Sequence, residues 1–458
     1  MSISILRTRN VERVIAWLGE SGSRASLAKL MGGSLGVQLL LLLAAPILTR
    51  LFTAADFGVL GIFLSLVSIG GAVATLRYEM AIVVAPGRVA SRCLFWLAAA
   101  ATVTSCILAA MVVWLAPGLL DWIRGGETIR TYAWLLPLTV LISATGLTVS
   151  RVASRCNAFG RMSAAMLAGR SADVAIKIVL GAAFNLGGFG LILGFVVGEL
   201  IHVVLLIVIL KEWSWRPPLR WKLYRRLFCK YIDFPRYILP AGLFTALAAS
   251  LPVIAFAAVF GPMVAGYMEL TRRVLGRPTA VFGNRYYAVF YQKSVEQLRS
   301  RGSISSIVEK SLSLLILLSF GPFLLVGLFG GPLFGLVFGR EWTEAGRYAA
   351  VLAPAWYLAT VVSPIRVFNT LERQALAFRW GLVHVLLICG ALALGVVLGS
   401  PYLTVVFLSC ATSLGYLYHL ILTMRLSGAS WKNVFLETLR ILSLPFGKLN
   451  RSSAYSDL

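Results

Sequence analysis

Charged residues are scarce in this chain of 458 residues, and acidic residues are scarcer than basic ones. Asp and Glu number 18 against 42 Lys and Arg, and together the four types make up only 13% of the sequence. A soluble domain carries about 25% charged residues, so most of this chain is not expected to be soluble. Three histidines and six cysteines lack metal-ligand or disulfide spacing, and no Walker sequence or Ser/His/Asp arrangement occurs. We therefore predict no enzymatic activity, no metal and no bound cofactor.

Apolar residues make up 59% of the sequence and are grouped in long runs. A helix needs about 20 apolar residues to cross a hydrocarbon layer of roughly 30 Å. The runs predict twelve membrane spans, at about 28–49, 57–76, 93–116, 132–153, 171–186, 190–210, 235–260, 262–284, 311–333, 348–366, 379–398 and 402–423.

The basic residues are divided unequally between the two sides of the predicted membrane. The termini and the loops on their side hold 33 of the 42, the opposite loops hold five, and four lie inside spans. Because Lys and Arg accumulate in cytoplasmic loops, both termini are predicted to be cytoplasmic. The basic residues are scattered between spans rather than gathered in one soluble patch, so nucleic acid is not expected as a partner.

Each end of the chain carries a short amphipathic stripe. The sequence predicts no cleavable signal peptide. Near the N-terminus, the stripe at 11–18 predicts an interfacial helix. Near the C-terminus, a second stripe predicts a surface helix rather than a thirteenth span, and it consists of Trp431, Val434, Phe435, Leu439 and Leu442. The predicted division is an N-terminal segment, a first lobe, a basic linker, a second lobe and a C-terminal segment, at 1–27, 28–210, 211–234, 235–423 and 424–458.

A hairpin between Pro46 and Val84 recurs later in the chain. An offset of 208 positions gives six identities in the 27 positions from 52 to 78, against roughly two by chance. The identities predict two six-helix halves related as parallel repeats. The matched pairs are Phe52/Phe260, Gly58/Gly266, Ala72/Ala280, Val73/Val281, Arg77/Arg285 and Tyr78/Tyr286.

The hairpin itself has recognisable boundaries. Pro46 and Arg50-Leu51 are predicted to close its first helix, and Asp56 is predicted to be the N-cap of its second. Together with later blocks, these residues resemble the oligosaccharide flippases of the polysaccharide transporter family, O-antigen translocase-like proteins of the MOP exporter superfamily. The blocks are Thr49-Arg50-Leu51, Asp56-Phe57-Gly58, Arg77-Tyr78-Glu79, Asp233-Phe234-Pro235, Ala265-Gly266-Tyr267, Arg273-Val274-Leu275, Phe290-Tyr291-Gln292, and Phe338-Gly339 with Trp342, Ala345 and Gly346.

The resemblance implies an all-α integral membrane protein with about twelve transmembrane helices in two pseudo-symmetric six-helix lobes, a MOP/MATE-like flippase fold. It implies alternating access that carries an oligosaccharide linked to undecaprenyl diphosphate across the bacterial inner membrane. The product of the pathway would be a surface polysaccharide, such as the O-antigen of lipopolysaccharide, capsule or exopolysaccharide. The implied partners are this lipid-linked oligosaccharide, membrane lipids, a polysaccharide polymerase and chain-length proteins.

Three arginines on the eighth span are candidate substrate contacts. A charged side chain at mid-membrane usually faces a cavity or an opposite charge, and arginine offers planar, multidentate donors to a diphosphate. Arg273 is the first choice for diphosphate binding, followed by Arg272 and Arg277. The alternatives are an ion-pair network that includes Glu269 and braces the halves, or a position at the cytoplasmic edge.

Other charged groups predict ion coupling, gating or structural pairing. Asp173 and Lys177 are spaced i,i+4 and form either a structural pair or a second cavity cation. Glu199 and His202, spaced i,i+3, form either a site for a coupling H⁺ or Na⁺ or a satisfied polar contact. Arg77 and Glu79 form either an inner-gate pair with a neighbouring helix or an anchor at the cytoplasmic edge of the membrane. Small residues recur every four positions at Gly190, Gly194 and Gly198, and this ridge predicts close helix packing.

Three other functions remain open at this point. A drug or cation exporter of the same superfamily would favour carboxylates over arginines in its cavity. A membrane polymerase or glycosyltransferase would need a sizeable outer loop or a catalytic carboxylate motif. A scaffold without transport activity, within a polysaccharide assembly complex, is also compatible with the sequence.

Overall fold

The computed structural model describes residues 21–115, 118, 130–211, 213–371 and 373–443, and regular structure in these ranges is helical throughout. The helices of the first half are α1 (Ser21–Leu51), α2 (Ala54–Ala74), α3 (Tyr78–Val84), α4 (Gly87–Leu115), α5 (Leu135–Arg155), α6 (Phe159–Phe184), α7 (Gly187–Ile209) and α8 (Trp221–Lys230). A π-helical turn (Phe234–Ile238) then leads to α9 (Leu239–Phe260), α10 (Pro262–Arg301), α11 (Ser305–Phe338), α12 (Thr343–Val362), α13 (Val367–Thr370), α14 (Gln374–Leu398), α15 (Pro401–Ser427) and α16 (Trp431–Ser443).

Each of the twelve predicted spans coincides with a helix of at least 20 residues in the part of the chain that the structure describes. Eight described helices are long and apolar enough to cross a membrane by length and composition. The other four spans are α1, with its apolar section Gly36–Leu51, and α6, α10 and α12, which carry charged side chains. The predicted class of an all-α integral membrane protein is confirmed.

The start of α2 corrects the predicted cap. Thr53, not Asp56, is the N-cap, and the two residues form a capping box. The Thr53 hydroxyl donates to Asp56 Oδ2 at 2.7 Å, and the Asp56 amide donates to Thr53 Oγ1 at 3.3 Å. Pro46 does not close α1, which continues through it to Leu51 as predicted for Arg50-Leu51. Apolar helices in membranes tolerate proline where their surroundings satisfy the freed backbone groups.

The first turns of α2 and α10 cross with their backbones in contact. A Cβ atom at Gly58 would overlap the Pro262 carbonyl oxygen and lie 3.1 Å from Gly266 N. Conversely, a Cβ atom at Gly266 would overlap the Ala54 carbonyl oxygen and lie 3.0 Å from Gly58 N. The equivalent positions of the predicted repeat, 208 residues apart, thus make reciprocal contacts. A two-fold relation between the two helices produces such a pattern, as at an isologous interface.

One turn further along the same crossing, the repeat loses its sequence identity. Gly61 on α2 corresponds to Glu269 on α10, whose side chain is fully buried. A Cβ atom at Gly61 would lie 3.0 Å from Glu269 Cβ and 3.1 Å from both Glu269 Cγ and Val253 Cγ1. The glutamate stem therefore fills the space that the missing side chain leaves.

The helices divide into two compact units. The first consists of the described residues up to Leu270 together with Val337–Glu341, and the second consists of Thr271–Leu336 and the described residues from Trp342. Each unit has its own buried apolar cluster, which includes Tyr78, Ile82, Leu94, Val149 and Leu206 in the first and Phe290, Val308, Leu315, Val362 and Met424 in the second. The division into lobes at the basic linker stays a prediction.

The predicted C-terminal amphipathic helix is present as α16, whose 13 residues are too few for a membrane crossing. Val434 is buried, whereas the other residues of the stripe are exposed. The Glu309 carboxylate accepts hydrogen bonds from the Ser430 amide at 2.8 Å and from Asn433 Nδ2 at 3.0 Å, which anchor the start of the helix to α11. The predicted N-terminal interfacial helix at 11–18 lies outside the described residues.

Candidate functional site

Helices α6 and α7 enclose the Asp173–Lys177 pair. Lys177 Nζ lies 2.5 Å from Asp173 Oδ1, and the two side chains are only 5% and 4% exposed. Cβ atoms at Gly194 and Gly198 on α7 would lie 2.5 Å from Lys177 Cγ and 2.6 Å from Asp173 Cβ, respectively. The small-residue ridge thus brings α7 close to the ion pair, as predicted. This geometry favours the structural interpretation of Lys177, and its role in substrate binding stays a prediction.

Glu199 on α7 lies at the centre of a second charged group. Arg170 Nη2 on α6 donates to Glu199 Oε2 at 3.0 Å, and His202 Nδ1 lies 3.6 Å from Glu199 Oε1. The guanidinium of Arg170 also lies over the Phe195 ring at 5.5 Å. Glu199 and His202 share a face as predicted, whereas the sequence did not predict Arg170. Arg170, Glu199 and His202 thus bring one guanidinium, one carboxylate and one imidazole together between α6 and α7.

The turn after α2 buries Glu79. Leu76 and Arg77 both adopt left-handed backbone conformations, with φ of 49° and 61°, and Glu79 is fully buried. The Thr75 hydroxyl donates to Glu79 Oε2 at 2.6 Å, and Arg77 Nη1 lies 3.7 Å from Glu79 Oε1. Two successive non-glycine residues in this region cost backbone free energy. Arg77 and Glu79 therefore pair with each other, and the gate or edge-anchor role given to them from the sequence stays a prediction.

The same turn contacts two neighbouring helices. The Arg77 guanidinium packs directly on Gly242 of α9, where a Cβ atom would overlap it. Tyr78 stacks on Phe228 of α8 with ring centroids 5.6 Å apart, and its hydroxyl donates to the Phe228 carbonyl at 3.4 Å. Burial raises the pKa of Tyr78 above its ordinary value of 10.0, so the phenol keeps its proton. Arg77 thus acts both as an ion-pair partner and as a packing contact.

One face of α10 packs on α12. The Thr271 hydroxyl donates to the Ala345 carbonyl at 2.8 Å, and the Thr279 and Thr360 hydroxyls lie 2.6 Å apart. Leu275, midway between the two threonines, is buried. These residues recur every fourth position and therefore mark one side of the helix.

Two of the candidate arginines lie on the other side of α10. Successive helical residues are about 100° apart, which puts Arg273 and Arg277 together and roughly opposite the face that packs on α12. Arg272 falls toward the packed face instead. All three side chains are half-buried, and Glu269 is fully buried in the preceding turn. Arg273 and Arg277 are therefore the better-matched pair for one anionic group, and their binding role stays a prediction.

Two histidines lie on apolar helices of the second unit. His384 on α14 and His419 on α15 are buried. Their rings pack on Trp380, with centroid distances of 5.4 Å and 4.6 Å. Within the described residues, no group of three or more His, Cys, Asp and Glu side chains is arranged to hold a metal ion.

The fold identifies the class of protein. The structure resembles the lipid II flippase MurJ in an inward closed conformation, with a TM-score of 0.66 at 11% identity over 90% of each chain. It also resembles a MOP superfamily transporter from Pyrococcus furiosus, at 12% identity over 90% of this chain and 98% of the other, with a TM-score of 0.59. A MATE family multidrug resistance transporter of the MOP superfamily, in an outward-facing conformation, gives 0.55 at 10% identity over 88% and 96%. The chain thus has the fold of MOP superfamily transporters.

The sequence identifies the family. A profile of the family described as "Polysaccharide biosynthesis protein" matches residues 47–347. The chain belongs to this family, as its resemblance to polysaccharide transporters predicted. A search of curated proteins gave no match.

Proposed function

We propose that this protein is a flippase that carries an undecaprenyl-diphosphate-linked oligosaccharide across the bacterial inner membrane for surface polysaccharide biosynthesis. The observation that carries the proposal is the match to a polysaccharide biosynthesis family over residues 47–347. The fold supports it, because a protein that flips another lipid-linked saccharide precursor, lipid II, has the same fold. The polymer would be O-antigen, capsule or exopolysaccharide, and the polymerase and chain-length proteins would be partners.

In the proposed mechanism, alternating access exposes the substrate head group first to the cytoplasm and then to the periplasm. Arg273 and Arg277 grip the diphosphate, for which guanidinium groups provide planar paired donors. The oligosaccharide moves with the diphosphate while the polyprenyl chain stays in lipid, and no covalent bond changes. The excess of basic residues on one side supports an orientation with both termini in the cytoplasm.

The proposed site of ion coupling is the group formed by Arg170, Glu199 and His202. Its support is the 3.0 Å contact of Arg170 with Glu199 and the 3.6 Å separation of His202 from the same carboxylate. Proteoliposomes with an imposed proton gradient or an imposed sodium gradient separate the two candidate ions. Transport that responds to neither gradient contradicts coupling at this site.

The deciding experiment follows the lipid-linked oligosaccharide in spheroplasts of a deletion strain. A membrane-impermeant sugar-modifying enzyme reports whether the intermediate is exposed on the periplasmic side. The flippase proposal predicts that the intermediate accumulates in a protected state until the gene is restored. Exposure at the normal level with a defect only in polymerisation contradicts transport and favours a scaffold.

The prediction for the site is that Arg273→Ala abolishes complementation of the deletion strain at unchanged membrane abundance. The physical reason is the loss of a charge-assisted donor pair to the diphosphate. Arg347→Ala is the matched control, because Arg347 is 65% exposed and pairs with Glu344 on its own helix. Full complementation by Arg273→Ala would remove this residue from the site without affecting the flippase proposal.

Drug export is the second candidate, since the MATE transporter of the MOP superfamily shares the fold. Accumulation of a fluorescent cationic drug in the same deletion strain tests it. Higher drug retention in the strain that lacks the gene, together with normal exposure of the lipid-linked oligosaccharide, would favour the exporter.

A further inference from the structure

Helix α8 and the segment before it hold a dense group of basic residues. The helix has four basic residues and no acidic residue in ten positions, Trp221 to Lys230. Arg216 and Arg220 precede it, and both residues are exposed. The proposed transport mechanism uses none of these residues.

One face of α8 packs against other described residues of the first unit. Leu227 is 4% exposed, and Leu223 and Tyr224 pack with it against the buried cluster of that unit. Phe228 stacks on Tyr78 of α3 at 5.6 Å. The helix is therefore docked through a defined apolar face and is not a loose linker.

The segment that leads into α8 is docked as well. Arg92 Nη2 on α4 donates to the Arg216 carbonyl at 2.5 Å, and the Phe95 and Trp215 rings lie 5.4 Å apart. Trp213 is buried beside them. Since α4 is a predicted membrane span and these contacts lie in its first turns, they place the segment at the end of a span.

The opposite face of α8 combines positive charge with exposed apolar rings. Lys222, Arg225, Arg226 and Lys230 are all exposed and recur at helical spacing on one side. Trp221 is 83% exposed and Leu219 is 98% exposed at the edge of this face. Aromatic and aliphatic groups beside Lys and Arg are typical of a helix at a membrane surface.

The position of α8 in the chain keeps it near the membrane boundary. It follows the end of α7 at Ile209 and precedes the start of α9 at Leu239, two predicted spans that end on the same side. The electrostatic attraction of lipid phosphates extends about 8 Å at physiological salt. The short connections to α7 and α9 keep the basic face of α8 close to this distance from the lipid phosphates.

We propose that the outward face of α8 binds the phosphate head groups of anionic phospholipids in the cytoplasmic leaflet. The exposed cations are spread along a helix face instead of converging in a pocket, which matches many single phosphates in a lipid surface. This inference does not rest on transport, so it stands or falls separately from the flippase proposal.

The test uses the full chain in lipid nanodiscs with a fluorophore on Cys229, which is exposed on α8, while the exposed Cys389 and Cys410 are replaced by serine. Phosphatidylglycerol or phosphatidylcholine carries the same nitroxide quencher at equal mole fraction. We expect phosphatidylglycerol to quench about twofold more strongly, because clustered basic residues enrich anionic lipid locally. We also expect this preference to weaken with added salt.

Charge reversal supplies the variant and its control. Arg225→Glu with Arg226→Glu should abolish the preference for phosphatidylglycerol, whereas Arg50→Glu with Arg347→Glu, the same charge change at exposed positions of the opposite side, should retain it. Arg225→Gln with Arg226→Gln should weaken the preference at an unchanged unfolding midpoint, which excludes misfolding as the cause.

Two results would overturn the proposal. Equal quenching by the two lipids in the unmodified protein would show that the face does not select anionic phospholipid. Displacement of phosphatidylglycerol by a trace of polyprenyl diphosphate would assign the face to the lipid diphosphate.

Discussion

Gly58→Ala is expected to lower the free energy of unfolding by about 1–3 kcal/mol, the range for an overpacked contact that cannot relax easily. The added methyl group would overlap the Pro262 carbonyl oxygen, a backbone atom that no rotamer change can move. Gly266→Ala should have a comparable effect, because its methyl group would overlap the Ala54 carbonyl oxygen. The midpoint of thermal unfolding in detergent micelles measures both.

The matched control lies on the same helix. A Cβ atom at Gly71 on α2 would have no heavy atom of a neighbouring element within 4 Å, so Gly71→Ala tests the substitution without the crossing. Inside a helix, alanine is more stabilising than glycine by roughly 0.5–1 kcal/mol. Gly71→Ala should therefore leave the free energy of unfolding unchanged or raise it. Wild-type stability in both Gly58→Ala and Gly266→Ala would show that the two helices do not depend on this contact.

Lys177→Met is expected to destabilise the protein by about 3–5 kcal/mol, since it leaves the Asp173 carboxylate buried without its ion-pair partner. Adding Asp173→Asn to Lys177→Met should restore part of the loss, because the uncompensated charge is then gone. Unfolding midpoints of the two single variants and the double variant form a cycle that isolates the coupling.

The exposed pair Glu344–Arg347 is the comparison for this cycle. Its N–O distance is 3.0 Å, but the Arg347 and Glu344 side chains are 65% and 36% exposed. Arg347→Met should cost at most about 1 kcal/mol, the upper value for surface ion pairs. If Lys177→Met cost no more than Arg347→Met while transport was lost, Lys177 would be a binding residue rather than half of a structural pair.

The membrane spans could be predicted from the sequence because the thickness of a hydrocarbon layer sets the length of an apolar run. The first and last residues of the helices were harder to predict than the spans themselves. Helix α6 begins at Phe159, twelve residues before its predicted span at 171, since a helix can continue beyond the apolar layer while hydropathy stops at it. Likewise Asp56 looked like the N-cap, but Thr53 reaches the same free amides and leaves Asp56 to complete the capping box.

Pairs within one helix were accessible from spacing, whereas pairs between helices were not. The i,i+4 rule brought Asp173 and Lys177 together, and the structure has that contact. Arg170 was missed as the partner of Glu199, because 29 residues separate them and Arg170 was assigned to a loop. The face of α10 that carries Arg273 and Arg277 also required the structure, since it depends on which side packs against α12.

The crossing of α2 and α10 shows how a duplicated architecture can break its own symmetry at the axis. Side chains on a two-fold axis compete for one volume, so two large ones cannot both enter it. At positions 58 and 266 neither copy enters, and the backbones meet. At positions 61 and 269, α2 has no side chain because it carries Gly61, and the side chain of Glu269 on α10 occupies the space. The crossing therefore contains a buried carboxyl group on α10 and no counterpart on α2. Glu269→Gly would make the two positions identical, but it would leave a void between the helices rather than a symmetric contact.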